Sequence, residues 1–360
     1  MKNYSNGIQL WQKEGIWRED DCKKLMSLFT LPVDNFPPVI IDEFHEIINE
    51  RCSIFGSDLS DLKVGLVDYL AHLELKDPTK IMYTPPRNLN LLLSAATARY
   101  ARILMEARIA EHSFSPHAAN SFCVAKKEKL PQSLRELECM DNATFLSTYR
   151  IVHAFIKLND NLKTSSHTVA SLRQSVLNSR PNYLYSSVDL LQSYFQIVLE
   201  PKSRDLLAFH VPGLNALLRL CRPAMGCATS AQLLAGFLFR FKEVHDLDSL
   251  ETYHDDLTIG SPSWDISDMK DYELPSQFSP GEIVVPNVNH GLNIIQALRL
   301  HLKELDKFFF ACQSANVVLN PKKCSFFSKV LNKLGFQISP LGISVPDSVR
   351  SSILKLRQED

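Results

Sequence analysis

The chain has 360 residues, of which 45% are hydrophobic and 22% are charged, so it can bury a sizeable core and cannot be mostly disordered. Its 39 Lys and Arg residues nearly balance its 40 Asp and Glu residues, and the net charge of −1 does not by itself indicate a polyanionic partner. The eight cysteines include no C-x-x-C pair, which argues against structural zinc and disulfides. No apolar run reaches the roughly 20 residues of a membrane span, and no signal peptide is recognisable. We therefore expect an intracellular protein.

Hydrophobic spacing predicts helices early in the chain and mixed structure after them. Helical patterning covers residues 44–52 and 62–75, and a helix with a broad apolar face is predicted over residues 86–110. Short β-prone pieces at residues 122–125 and 148–156 indicate strands of a mixed α+β region.

The second half of the chain contains the sharpest local patterns. Residues 183–189 are predicted to form a strand that ends on an acidic residue, and residues 228–241 a helix. Residues 250–260 form two short β-prone runs with adjacent aspartates at the reversal, which is typical of a β-hairpin. The remaining elements follow in chain order: a long exposed loop over residues 261–290, a helix over 292–315, and a strand, basic turn and second strand over 317–339.

Three carboxylates, Asp189, Asp255 and Asp256, are candidates for divalent metal binding. A strand end and a hairpin tip can lie side by side in one sheet, and carboxylates held that close repel each other unless cations neutralise them. Two Mg²⁺ ions about 3.5 to 4 Å apart would do so, and would support phosphoryl transfer by activating a hydroxyl and stabilising a leaving oxygen. Taken alone, an Asp-Asp pair is more often a solvated turn, so the surrounding sequence decides.

Six short motifs flank or contain these acids, in a fixed order within residues 85–345. They are FIKLN at 155–159, SSVDLLQSYFQI at 186–197, SRDLLAF at 203–209, YHDD at 253–256, LNPKKCSF at 319–326 and LGFQIS at 334–339. In this order they resemble the D-Y-R-x-L-N, S-x-D-L-x-x-x-Y-x-Q-I, S-R-x-x-T-A-F, Y-x-D-D, L-N-P-x-K-C-x-F and L-G-x-x-I-S segments of reverse transcriptases from gypsy-like LTR retrotransposons. Each match is weak alone, and the shared order makes the resemblance specific.

The resemblance implies an α+β right-hand polymerase fold, with fingers, a palm whose antiparallel sheet packs on helices, and a thumb that is largely missing. It implies RNA- or DNA-templated DNA synthesis by part of a Pol polyprotein. The expected units are an N-terminal connector of unknown role (1–84), a fingers-like region (85–180), a palm (181–346) with the 261–290 insertion, and the start of a truncated thumb (347–360).

The resemblance also implies roles for individual residues. Asp189, Asp255 and Asp256 would be catalytic and, with the backbone carbonyl of Leu190, would hold two Mg²⁺ ions, for which Mn²⁺ could substitute. Residues expected to bind the incoming nucleotide are Tyr194, Gln232, Lys127 and Arg150, with Lys126 beside them. Residues expected at the primer and template are Tyr253, Lys322, Lys323, Leu334 and Gly335, with Lys329 and Lys333 in the same basic cluster. Without the flanking motif, Tyr194 is more simply interpreted as an ordinary core aromatic. Lys126, Lys127 and Arg150 fit a solvated basic surface equally well.

Departures from the family pattern keep other functions open. Ala154 stands where the motif has Asp, His254 replaces an apolar residue, and the segment before Gln232 is about two residues short. The expected partners are an RNA or DNA template with its primer, dNTPs and other parts of a Pol polyprotein, in the cytoplasm, as in a virus-like particle, or in the nucleus. The alternatives are a catalytically inactive nucleic-acid-binding remnant and, less favoured, a metal-dependent phosphohydrolase. No ribonuclease H, protease or integrase motif is found.

Overall fold

A computed structural model describes eight stretches of the chain, namely residues 24–31, 37–62, 69–126, 130–163, 182–263, 294–333, 335–339 and 342–346. The helices in these stretches are α1 (Pro38–Arg51), α2 (Leu91–Glu106), α3 (Leu134–Cys139), α4 (Asn142–Thr148), α5 (Ile156–Asn161), α6 (Pro201–Arg204), α7 (Ser230–His245) and α8 (Ile294–Ser314). The strands are β1 (Leu70–Ala71), β2 (Ala110–His112), β3 (Ala119–Ala125), β4 (Tyr149–His153), β5 (Asn182–Asp189), β6 (Val198–Leu199), β7 (Ala208–Val211), β8 (Ala216–Leu220), β9 (Leu250–Tyr253), β10 (Asp256–Ser263), β11 (Ser325–Ser328), β12 (Leu331–Lys333), β13 (Phe336–Ser339) and β14 (Gly342–Ser344).

The central sheet is four-stranded and antiparallel, with strand order β11-β5-β10-β9. Six of the eight β5 residues are buried, as expected for a strand with a neighbour on each side and layers packed on its faces. The strand predicted over residues 183–189 and the hairpin predicted over residues 250–260 are both confirmed. Of the long loop predicted over residues 261–290, the first three residues continue β10, and the rest lies outside the described residues.

Helix α8 packs across this sheet and fulfils the helix predicted over residues 292–315. Leu298, Leu302, Leu305 and Phe309 form its buried stripe, at the spacing of one helical face. His301 lies in the same face, and its imidazole is bonded to the hydroxyls of Ser186 on β5 and Ser261 on β10, each at 2.7 Å. Complete burial lowers the pKa of His301 to about 3, so the ring is neutral. One side chain therefore ties the helix to both central strands.

The N-terminal stretch shares the core of this sheet. Phe29 and Phe44 pack on Phe326 of β11, with ring centroids 5.0 and 5.1 Å apart. Thr30 and Phe55 each form a parallel bridge with a residue of the segment around β11. Residues 24–31 and 37–62 therefore pack in the same core as this sheet.

The helix predicted over residues 62–75 is wrong where the structure describes it. Leu70–Ala71 form a short strand that pairs in parallel with β6. Buried Ala71 and Leu73 alternate with the exposed Leu70, His72 and Glu74, which is the two-residue period of a strand. The apolar spacing here fits either periodicity, and the pairing partner that decides between them lies far along the chain.

A second sheet, with strand order β2-β8-β7-β3-β4, takes β2, β3 and β4 from the expected fingers-like range (85–180) and β7 and β8 from the expected palm range (181–346). We call it the fingers-like sheet. Helix α2 packs on it and confirms most of the helix predicted over residues 86–110; the side chain of Asn90 caps its first turn by accepting from the Leu93 amide at 2.8 Å. Gly213 permits the close approach of α2, because a Cβ there would lie 2.4 Å from the Ser94 carbonyl oxygen. None of the described helices is long and apolar enough to cross a bilayer.

A third, small sheet has strand order β12-β13-β14 and contacts the central sheet. Its contact is a separate apolar cluster of Tyr185 from β5, Leu331 from β12 and Ile338 from β13. The strand pair β12–β13 is therefore attached to the same strand that carries Asp189 at its end.

Candidate active site

Asp189, the first of the three acidic residues in the chain, lies directly opposite Asp256, the last. Strand β5 ends at Asp189, strand β10 begins at Asp256, and the antiparallel register pairs these two residues. Residues paired in this way have Cβ atoms about 4.5 to 5.5 Å apart and project from the same face of the sheet. Two like charges in this arrangement destabilise the sheet unless a cation lies between or beside them.

Asp255 lies at the tip of the hairpin that joins β9 to β10. Tyr253 pairs with Asp256, which leaves His254 and Asp255 as a two-residue loop. His254 has φ +53°, a left-handed conformation that histidine adopts more often than apolar residues do. His254, which replaces the apolar residue of the family motif, therefore suits the geometry of this turn. The hairpin presents the exposed Asp255 beside the Asp189–Asp256 pair.

A lysine already partly neutralises the acids. Lys323 Nζ lies 3.2 Å from each carboxylate oxygen of Asp189. Burial raises the pKa of Asp189, Lys323 opposes that shift, and the charges of Asp255 and Asp256 add to it. Burial likewise raises the pKa of Asp256, with a further contribution from Asp255. Proton uptake or cation binding at Asp189 and Asp256 would therefore relieve the cost of their burial and mutual repulsion.

The donor chemistry fits Mg²⁺. Hard carboxylate oxygens are its preferred ligands, and the ammonium of Lys323 shows that a cation is accommodated beside Asp189. In the described part of the chain, no three His, Cys, Asp or Glu side chains are already arranged as a metal cage. The carboxylates of Asp189, Asp255 and Asp256 are therefore not gathered into such a cage in the structure.

The segment after Asp189 is held by a residue whose role the sequence did not reveal. Gln196 is buried, and its amide nitrogen donates to the carbonyls of Leu191 at 2.7 Å and Val318 at 2.8 Å, while its carbonyl accepts from the Val318 amide at 2.8 Å. This clamp fixes the turn that contains Leu190 and Tyr194. Gln196 belongs to the quoted SSVDLLQSYFQI motif, but nothing local identifies its partners.

Replacing Gln196 by Ala should destabilise the protein by about 2 to 4 kcal/mol, because it leaves buried backbone groups without hydrogen bonds. Urea unfolding followed by circular dichroism measures this loss. Gln192→Ala is the matched control, since Gln192 is exposed four residues away and should change stability by less than about 0.5 kcal/mol. Equal effects of the two substitutions would contradict the clamp.

Tyr194 lies near the acids. It is half-buried in the turn after Asp189, and burial together with the charge of Asp255 raises its pKa. The Tyr194 hydroxyl is therefore near enough to Asp255 for the charge of that carboxylate to act on it.

The other residues expected at the nucleotide lie on different elements. Arg150 is exposed on β4, opposite Val124 in the fingers-like sheet, and Gln232 is half-buried in the first turn of α7. Lys126 Nζ donates to the Leu146 carbonyl at 2.8 Å, and Lys127 lies outside the described residues. Arg150 and Gln232 thus lie on elements other than those that carry the aspartates.

The short segment before Gln232 is attached to the fingers-like region through Asn159. Its side-chain nitrogen donates to the Gly226 carbonyl at 2.8 Å, and its oxygen accepts from the Ala228 amide at 2.9 Å. Asn159 is the last residue of the FIKLN motif, and this two-point contact is a second feature that the sequence did not reveal.

The residues expected at the primer and template are spread around the sheet edge. Lys322 is exposed in the turn before β11, Tyr253 is half-buried at the end of β9, and exposed Gly335 has φ +82° between β12 and β13. Leu334 lies outside the described residues. Lys333, expected in the same basic cluster, is instead buried, with Nζ 3.1 Å from Glu251 Oε2.

Comparison with known sequences gives one weak but extensive similarity. No protein-family model matches the chain. It is 22% identical over 325 residues to the retrovirus-related Pol polyprotein from transposon 412 of Drosophila melanogaster, a match that covers 89% of this chain and 22% of that polyprotein. The chain thus spans about a fifth of the length of this relative.

Comparison with solved structures gives closer agreement in fold. The foamy viral protease-reverse transcriptase dRH in complex with ds DNA superposes with a TM-score of 0.67 and 13% identity, covering 93% of this chain and 48% of that one. The foamy viral protease-reverse transcriptase in complex with dsDNA gives 0.66 and 13%, covering 94% and 58%. The same enzyme in complex with RNA/DNA hybrid gives 0.65 and 14%, covering 93% and 37%.

These identities are too low to carry function, but the structural agreement extends over most of the chain. The expected α+β architecture, with a palm-type antiparallel sheet packed on helices, is confirmed. The chain has the reverse transcriptase polymerase fold and is distantly similar in sequence to a retrotransposon Pol polyprotein.

Proposed function

We propose that the chain is the RNA-directed DNA polymerase domain of a gypsy-like LTR retrotransposon Pol polyprotein. The observation that carries the proposal is the pairing of Asp189 with Asp256 across β5 and β10, with Asp255 at the adjoining hairpin tip, within a polymerase fold. Carboxylates converging from a strand end and a hairpin suit the transfer of a nucleotidyl group.

The three carboxylates, with the Leu190 carbonyl, would hold two Mg²⁺ ions. When bound, these ions would neutralise the acids and stabilise the attacking and leaving oxygens of an in-line displacement at phosphorus. The side chains themselves orient the site. Asp189 and Asp256 present oxygens from one face of the sheet, and Gln196 holds the backbone beside them.

Tyr194 would contact the sugar of the incoming nucleotide and reject a 2′-hydroxyl by steric exclusion. Arg150, Lys127 and Gln232 would meet the triphosphate and base when the fingers-like region closes, because cations offset phosphate charge as it develops. Tyr253, Lys322, Leu334 and Gly335 would border the primer and template. Lys323 would exchange its contact with Asp189 for a contact with the substrate.

The proposed substrates are dNTPs and an RNA or DNA template carrying a primer. In the solved neighbours, the foamy viral enzyme is bound to double-stranded DNA or to an RNA/DNA hybrid, which supports a duplex partner. We place the proposed activity inside the cell, in a cytoplasmic virus-like particle or in the nucleus, alongside other parts of a Pol polyprotein.

Primer extension tests the proposal. The purified chain should extend oligo(dT) on poly(rA) with dTTP and Mg²⁺ or Mn²⁺, and Asp255→Asn should reduce the rate by about 10³-fold or more, since about 4 kcal/mol of transition-state stabilisation is lost. Extension is measured on denaturing gels. No extension by the natural chain, or an unchanged rate in Asp255→Asn, would refute the catalytic role.

A catalytically inactive nucleic-acid-binding remnant is the second candidate. Two observations favour it. Ala154, directly before FIKLN, stands where the family's D-Y-R-x-L-N motif has Asp, and Lys323 forms an ion pair with Asp189. This candidate predicts salt-dependent binding of a primer-template without turnover. Fluorescence anisotropy at low and high salt, beside the extension assay, separates the two.

A further inference from the structure

The small sheet and the catalytic hairpin are joined by a buried ion pair. Lys333 is the last residue of β12, and its side chain is only 4% exposed. Its Nζ lies 3.1 Å from Oε2 of Glu251, which is 26% exposed and lies on β9 two residues before Tyr253. The two residues are 82 positions apart in the chain, so the pair connects separate parts of the fold.

The ion pair is a second attachment between these sheets that the described residues show. The first is the apolar cluster of Tyr185, Leu331 and Ile338, which lies against β5. The apolar attachment joins the small sheet to the strand that carries Asp189, and the ion pair joins it to the strand that leads to Asp255 and Asp256. Together they relate the β12–β13 strand pair to both sides of the site.

Burial removes Lys333 from direct contact with nucleic acid. An ammonium that is 4% exposed and bonded to a carboxylate cannot reach a phosphate without losing its partner. Lys333 therefore acts through its position.

Such a pair is costly to form and costly to break. Desolvating two charges offsets much of their attraction, so the pair contributes little net stability, whereas removing one partner of such a pair is destabilising. In some proteins a buried ionic group specifies one arrangement at a cost in stability.

We propose that the Glu251–Lys333 ion pair sets the distance between the β12–β13 strand pair and the β9–β10 hairpin, so that a primer end lying on the strand pair meets the aspartates in register. Glu251 and Lys333 are then positioning residues. This inference rests on the proposed polymerase function, in which the strand pair borders the primer.

The kinetic test uses Lys333→Met, Glu251→Gln and the charge reversal Glu251→Lys with Lys333→Glu. Each single substitution should raise the KM for primer-template by about tenfold or more, with kcat and the KM for dNTP changed by less than about threefold. The charge reversal should restore the KM to within about threefold. Lys303→Met, an exposed lysine on α8, is the control and should change nothing.

A structural test does not require activity. Hydrogen exchange of the protein alone should show faster exchange for the amides of β12 and β13 in both single variants, unchanged exchange in β5 and β10, and recovery in the charge reversal. Uniform acceleration across all strands, unchanged exchange in β12 and β13, or loss of kcat with an unchanged primer KM would overturn the positioning role. Absence of extension by the natural chain would refute the polymerase proposal and leave the exchange result to decide the positioning itself.

Discussion

Asp189→Asn is expected to abolish primer extension while leaving the protein at least as stable as the natural chain at neutral pH. The rate should fall by about 10³-fold or more, because the variant loses an anionic oxygen where the cation must bind. Stability should be maintained or rise, because burial and two neighbouring acids raise the pKa of Asp189 and make its charged form unfavourable. Lys323 loses its partner at little cost, since its side chain is 62% exposed.

The sign of the pH dependence follows from the raised pKa. Between the ordinary pKa of about 3.8 and the higher value in the folded protein, the folded state binds more protons than the unfolded state, so stability falls as pH rises. The advantage of Asp189→Asn over the natural chain should therefore be smallest below pH 3.8 and complete above the folded pKa. Thermal unfolding between pH 3.5 and 7 (roughly the range where such carboxylates titrate) measures this difference.

The control for this experiment is Asp248→Asn, because Asp248 is exposed and lies away from the three aspartates. It should extend primers at the natural rate and unfold at the natural temperature. An Asp189→Asn variant that keeps a tenth of the activity, or one that unfolds at a clearly lower temperature at neutral pH, would contradict this account of the site.

Phe326→Ala should destabilise the protein by about 3 to 5 kcal/mol, the usual cost of removing a fully buried phenylalanine. Its ring meets Phe29, Phe44 and Phe309 at centroid distances of 5.0, 5.1 and 5.8 Å. The substitution therefore opens a cavity where the N-terminal stretch, β11 and α8 meet. Urea unfolding monitored by tryptophan fluorescence and circular dichroism gives the free energy.

Phe239→Ala is the matched control, because Phe239 is 57% exposed on α7 and its loss should cost less than about 0.5 kcal/mol. Phe44→Ala adds a test of the N-terminal stretch. If residues 24–62 share the palm core, this substitution lowers the same single unfolding transition as Phe326→Ala. A separate transition, or no effect on the main one, would show that the stretch folds independently.

Features that depend on one short stretch of residues could be predicted from the sequence. The β-prone run that ends at Asp189, the acidic reversal at Asp255 and the apolar stripe of α8 each occupy one short window, and each appears in the structure where expected. The order of six motifs then indicated the polymerase fold, although none of them is specific alone.

Features that depend on distant partners could not be predicted. Gln196 finds Val318 122 positions away, and Glu251 finds Lys333 82 positions away, so no window of sequence contains either contact. The helix predicted over residues 62–75 was wrong for the same reason, because residues 70–71 form a strand by pairing with the distant β6. Net charge did not indicate the candidate site either, because it sums residues in different surroundings. Lys323 lies beside the candidate acids, whereas Lys333 is buried in an ion pair.

The imidazole of His301 imposes a direction on the hydrogen bonds inside the central sheet. A neutral ring has one donor and one acceptor nitrogen, and Ser186 Oγ already accepts from the Phe327 amide at 3.2 Å. One of the two hydroxyls, of Ser186 or of Ser261, therefore donates to the ring while the other accepts from it, and the tautomer decides which. The two bonds are coupled through one ring, so a change of tautomer would reverse both of them together. The interior behind the aspartates thus links a residue of β5 to a residue of β10 through the protonation of a single side chain on α8.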